Sequence, residues 1–163
     1  MLSAYMSHSI RGIYGEAATR EQIEAACRDA SLMADQIEAE TGIQIYCPGK
    51  HDEIIQLAYR HGHISERGIL EADCRILEKR DFVLAYARDG HLSRGMRVEI
   101  GHALSINKSV FLFGGWDEAA IAGFKHFLLS LSNHPFHRHH IQGLYGGVVS
   151  GLTPRNYLTE VEI

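Results

Sequence analysis

Residues 81–115, DFVLAYARDGHLSRGMRVEIGHALSINKSVFLFGG, decide the fold class. The DFVLAYA run is apolar without alternation, as in a strand buried on both faces. RDGHLSRG reads as a loop, because glycine and charge interrupt the apolar pattern there. A helix is predicted from Met96 to about Ile106, and SVFLFGG is a second buried strand. Strand, loop, helix and strand in close succession make a βαβ unit, which implies a parallel sheet covered by helices.

The same alternation extends in both directions. In LSAYMSHSIRGIYG, residues 2–15, Ala4, Tyr5 and Met6 suit a short core strand. The chain then turns polar at Ser7, His8 and Ser9, with Ile10 isolated ahead of Arg11. Thr19-Arg20-Glu21-Gln22 has the form of a capping box. It opens a helix with Ile23, Ala26, Cys27, Ala30, Met33, Ala34 and Ile37 at helical spacing, ending near Thr41-Gly42. GIQIYCPG, residues 42–49, is a further strand, and one helical turn is expected from Ile54 to Tyr59. Ser65 can cap a helix to about Lys79, and Asp117 one through Leu131. HPFHRHHIQGLYGGVVSG, residues 134–151, is loop-like, and NYLTEVEI, residues 156–163, reads as a last strand. The prediction is an α/β fold: a single doubly wound domain over 1–163 with a mostly parallel central sheet, Rossmann- or flavodoxin-like, and 134–163 as a C-terminal extension. Ligands in such sheets sit beyond the carboxyl ends of the strands. That edge holds the opening loop, the 88–94 loop and the segment after Tyr46.

Composition narrows the function. With 163 residues, 45% of them hydrophobic, the chain can bury a core of its own. A formal net charge of -4 disfavours wrapping of polymeric nucleic acid but leaves room for a small phosphorylated ligand. Cys27, Cys47 and Cys74 are widely spaced, form no CxxC pair and read as packing thiols in a reducing compartment. No signal peptide and no membrane-spanning apolar run is visible, so a cytoplasmic protein is expected.

Two carboxylates stand where apolar residues belong. Asp73 shares a helical stripe with Ile69, Ile76 and Leu77, with Ala72 beside it. Glu99 shares a face with Met96 and Ala103. A core-side charge is costly unless it is paired or borders a cavity. Asp73 is then either a buried Asp bonded to backbone or arginine, or a functional acid. Glu99 is either an edge glutamate reaching solvent or a functional one. Two half-buried carboxylates at the ligand edge suit glycosidic chemistry, in which one attacks the anomeric carbon while the other protonates the leaving group and later activates water.

Three segments taken together resemble the nucleoside 2-deoxyribosyltransferase superfamily, and within it the 2'-deoxynucleoside 5'-phosphate N-hydrolases. YMSHSIRG, residues 5–12, looks like that family's strand-end motif. DCRILEKRDFVLA places Asp73 eight residues before the Asp81 that opens a buried strand. SRGMRVEIGHALSINKSVFLF sets Ser93 six residues before a Glu-Ile-Gly-x-Ala helix. The resemblance implies Glu99 as nucleophile, Asp73 as acid or base, and Tyr5 beside the catalytic carboxylate. It further implies Ser9, Arg11 and Ser93 at a 5'-phosphate, Ile10 and the loop backbone of Gly12 and Gly95 lining base and phosphate, and His8 near the sugar, where the hydrolases tend to have glycine. The implied activity is N-glycosidic hydrolysis of (deoxy)nucleoside 5'-monophosphates without cofactor or metal. A base-exchanging deoxyribosyltransferase and a non-catalytic nucleotide-binding domain are the alternatives.

The resemblance also implies a homodimer or larger homo-oligomer, with a neighbouring subunit donating a phosphate-binding serine for which Ser130 and Ser132 are candidates. Phe124, Phe127, Leu128, Leu129 and Leu131 exceed one helical stripe, in keeping with an interface. Residues 47–64, with His51, Asp52, His61 and His63, depart from the hydrolase pattern and are a candidate base-specific lid. The His134–His140 cluster matches no closed zinc set and reads as a solvated or interface loop. Gly12, Gly15 and Gly146-Gly147 form no dinucleotide fingerprint. Trp116 reads as core or interface, and Glu21, Glu24, Asp29 and Glu38 as a solvated helix face.

Overall fold

A computed structural model describes residues 1–51, 55, 57–59, 61–133 and 141–143. The strands are β1 (Ser3–His8), β2 (Gln44–Tyr46), β3 (Phe82–Tyr86), β4 (Val110–Phe113) and β5 (Ile141–Gly143). The helices are α1 (Arg20–Thr41), α2 (Glu66–Glu78), α3 (Arg94–Ser105) and α4 (Glu118–Asn133). The strands form one sheet in the order β2-β1-β3-β4-β5, and every pairing is parallel. This is the doubly wound, flavodoxin-like order.

Strand alternation sorts the core into two layers. On one face Ala4, Met6, Phe82, Leu84, Phe111 and Phe113 meet Ala30, Ala34 and Ile37 of α1 and Phe124 and Phe127 of α4. On the other, Tyr5, Val83, Ala85, Val110 and Leu112 meet Leu77 of α2 and Met96, Ile100 and Ala103 of α3. Asp73 and Glu99 therefore belong to the two helices that share a face of the sheet.

The caps follow the sequence. The Thr19–Gln22 box is closed in both directions, Gly42 ends α1 in the left-handed region, and Ser65 and Asp117 accept from the first turns of α2 and α4. Trp116 packs on the core and donates Nε1–H to Glu40 at 2.7 Å. The three cysteines are free and buried. Residues 55 and 57–59 are helical, as the expected turn requires.

Several expectations need correction. β1 does not stop at Met6 but continues through Ser7 and His8, because both polar side chains find partners inside. Residues Gly12–Ala17 form 3-10 turns rather than open loop. The buried stripe of α2 is Leu70, Asp73, Cys74 and Leu77, while Ala72 is exposed. That helix packs on α3 as well as on the sheet, which turns its buried face by about one residue. Of the charges read as a solvated face, Glu38 accepts from the Ile45 backbone N–H at 2.6 Å and Asp29 accepts from the Tyr86 hydroxyl at 2.7 Å. β5 lies inside the stretch read as loop. The expected strand at 156–163 and the His134–His140 cluster fall outside the described residues. No helix among the described residues is long and apolar enough to cross a membrane.

The α1/α4 layer turns on Phe111, whose ring lies 5.3 Å from that of Phe124 and 5.4 Å from that of Phe127. Phe111→Ala should cost about 3–5 kcal/mol by lost burial and an unfilled cavity. Urea unfolding should show this as a lower midpoint at unchanged slope.

Candidate active site

In this strand order the chain leaves β1 toward β2 on one side and leaves β3 toward β4 on the other. The crevice between the carboxyl ends of β1 and β3 is the switch point where such sheets bind ligands. A cavity of about 350 Å3 opens there. Its walls come from the loop after β1, the loop after β3, and the facing sides of α2 and α3, including Asp73 and Glu99.

The loop after β1 is tied to itself. Ser9 Oγ donates to the Gly12 carbonyl at 3.0 Å, and Gly12 takes φ 58, a left-handed turn that favours glycine. Arg11 lies between them, half-buried on the cavity wall, and its guanidinium has no hydrogen-bond or ion-pair partner among the described residues. Ser93 caps α3 and accepts from the Met96 N–H at 3.2 Å. The cavity therefore meets a helix N-terminus, where backbone N–H groups and the dipole favour an anion.

Strand parity explains how the buried carboxylate is held. Tyr5 and Ser7 lie two apart on β1 and face α3. The Tyr5 hydroxyl donates to Glu99 Oε1 at 2.9 Å, and the Ser7 hydroxyl donates to Oε2. Glu99 is 6% exposed and Asp73 5%. Burial pushes the Asp73 carboxyl up to about 6. Burial, and then the Asp73 charge, push Glu99 up to about 8, while the Ser7 and Tyr5 hydrogen bonds pull it down. The two carboxylates are coupled, and the larger rise at Glu99 places a shared proton there in preference to Asp73. Behind Tyr5, the rings of Tyr46 and His51 continue a stack, with centroids 5.8 and 5.2 Å apart.

Of the residues named from sequence, Glu99, Asp73, His8, Ser9, Ile10, Arg11, Gly12, Ser93 and Gly95 all line this cavity. Tyr5 stands behind it and reaches it through Glu99. The cavity is not the only engagement of these groups. Ser9 and Ser93 also serve their own loop and helix. His8 points to the α1 side of the sheet, where Nε2 accepts from the Gly49 N–H at 3.0 Å. A β-carbon at Gly49 would sit 3.0 Å from that ring, so the close approach needs glycine. Burial lowers the His8 pKa to about 4, and the ring is neutral at ordinary pH.

Sequence reasoning missed Ser7, although its position two after Tyr5 on one strand was a usable signal. Ile13, Glu16, Ile55, Glu66, Leu70 and His91 also line the cavity without having been singled out. Asp52 of the expected lid lies outside the described residues. Ser130 Oγ donates to the Phe127 carbonyl at 2.6 Å within α4, away from the cavity, and the Ser132 side chain is not among those described. Of the surplus apolar side chains on α4, Leu129 stays 62% exposed while Phe124 and Phe127 are consumed by the core. Among the described residues no three His, Cys, Asp or Glu side chains form a metal-binding group. No protein-family model, curated protein or solved structure matches the chain.

The buried pair makes stability depend on pH. Asp73 and Glu99 are raised above ordinary values of 3.8 and 4.5, so the folded chain keeps protons that the unfolded chain releases. Their contribution is fully present at pH below about 4 and is lost as pH rises through about 6 and then about 8. Glu99→Gln should flatten this decline and melt above the wild type at pH 9, read by circular dichroism at pH 5, 7 and 9. A wild-type melting temperature that does not fall from pH 5 to 9 would mean that the carboxylates ionise without cost.

Proposed function

We propose that the protein is an N-glycosidase that hydrolyses the base–sugar bond of nucleoside 5'-monophosphates through a covalent glycosyl-Glu99 intermediate. The observation that carries this reading is one cavity bounded by Glu99, held by two hydroxyls, a second buried carboxylate at Asp73, and an unpaired Arg11. The motif resemblance noted in the sequence supports it.

In the proposed first step, a Glu99 oxygen attacks the anomeric carbon while the bond to the base nitrogen breaks. For this the bound substrate must shift the shared proton from Glu99, the more basic of the two, to Asp73; the bonding pair then leaves with the base, which takes that proton from Asp73. Tyr5 and Ser7 orient Glu99, and positive charge developing on the sugar favours its ionised form. Water then attacks the anomeric carbon, gives its proton to Asp73 and releases Glu99. Arg11 and the α3 N-terminus hold the 5'-phosphate, and Ser93 can donate its hydroxyl proton to it while still accepting from Met96. Ser9 must first turn its hydroxyl from the Gly12 carbonyl.

The decisive assay incubates the protein with nucleosides and with nucleoside monophosphates, each with and without a second free base, and separates the products by chromatography. Hydrolysis predicts free base and sugar 5-phosphate from monophosphates. A new nucleoside formed only with the added base would replace this reading with transfer. Glu99→Gln should abolish turnover, and near-wild-type activity in that variant would end the covalent mechanism.

Arg11 supplies an independent check. Arg11→Ala should depress kcat/KM for monophosphates by about 1.5–3 kcal/mol, roughly ten- to a hundredfold, and spare the corresponding nucleosides. Arg11→Lys should recover part of the loss, since it keeps charge but not the two-pronged geometry. Equal loss on both substrates would make Arg11 a support for the loop.

A further inference from the structure

Glu66 also borders the catalytic cavity, and the mechanism above gives it nothing to do. It lies in the first turn of α2, half-buried, and its carboxylate has no partner among the described residues. A carboxylate in a first turn is stabilised by the helix dipole, and this alone implies no ligand. Its place along the cavity says more.

Glu66, Ile69, Leu70 and Asp73 all line the cavity from one face of α2. The run from Glu66 to Asp73 covers two turns, about 10 Å at about 1.5 Å per residue. At one end stands the acid that would protonate a leaving base. Between the two carboxylates lie Ile69 and Leu70, and Ile10 and Ile55 add apolar surface to the same cavity. At the far end stands an acceptor with nothing to accept from. The layout has the length and polarity of a flat heterocycle with its glycosidic nitrogen at Asp73 and a hydrogen-bonding edge at Glu66.

The geometry points to Glu66 as the residue that selects the base, favouring nucleotides whose outer edge presents an amino group. An ionised carboxylate only accepts. It pairs with the adjacent amide and amino groups of guanine, or with the amino group of adenine or cytosine, whereas uracil and thymine offer only an N3–H flanked by two carbonyl oxygens that the carboxylate repels. The identity of the ligand rests on the N-glycosidase reading; the selection is a separate claim.

The test separates the two. Calorimetric titration of GMP, AMP, CMP and UMP into Glu99→Gln protein measures binding without turnover, and the same titrations follow in Glu99→Gln/Glu66→Ala and Glu99→Gln/Glu66→Gln. The Glu66 changes should weaken the amino-bearing nucleotides about tenfold or more and leave UMP unchanged or tighter. The same shift in base preference should appear in kcat/KM for the single Glu66 variants. A preference that survives both substitutions overturns the assignment and leaves the glycosidase reading standing. A merely helix-stabilising Glu66 would give that result together with a lower melting temperature. Absence of both binding and wild-type turnover for all four nucleotides and for their 2'-deoxy counterparts would overturn the two readings together.

Discussion

A carboxylate placed inside a protein must recover the hydration it gives up. Glu99 does so through two hydroxyls from the neighbouring strand, one on each oxygen. This constraint reaches through the rest of the architecture. It requires Tyr5 and Ser7 on the same face of β1, so the strand must continue past its last apolar residue. It requires α3 to lie across that face, with Glu99 nearly two turns beyond its capped start. The hydroxyls also work against burial and the Asp73 charge, which favour the protonated form. The net shift is still upward, so the hydroxyls moderate the rise that burial imposes without reversing it.

The fold was legible because its signals were redundant. β3 and β4 are apolar throughout, as strands covered on both sides must be. α1 carries a capping box at one end and a left-handed glycine at the other. α2 and α3 each begin at a serine that accepts from the third residue of the helix. None of these features depends on a distant partner.

What was hidden depended on such partners. Ser7 and His8 look like the end of a strand until Glu99 and the Gly49 N–H are there to satisfy them. The stripe of α2 was misread by one position because periodicity marks an apolar face and cannot say how two neighbours share it. Ile69 was drawn to the cavity and Leu70 to the helix interface. β5 is three residues long, too short for alternation to register. The site was legible at the two misplaced carboxylates and in the loop after β1. Glu66 was not, because an acidic residue in a first turn is what any helix prefers.

Asp73 and Glu99 sit on different helices, and no backbone segment fixes their separation. Between α2 and α3 lies a small cluster of Leu70, Cys74 and Val98. Of these, Cys74 and Val98 border no part of the cavity between β1 and β3, and the Cys74 thiol is pushed up to about 12, mainly by burial, which leaves it inert. The gap between the two carboxylates therefore depends in part on the volume of two side chains that do not line the cavity. Carboxylate separation determines whether a glycosidase attacks directly or admits water first. In this frame the stereochemical course of a reaction can drift through a methyl group gained or lost between two helices, with every residue around the substrate unchanged.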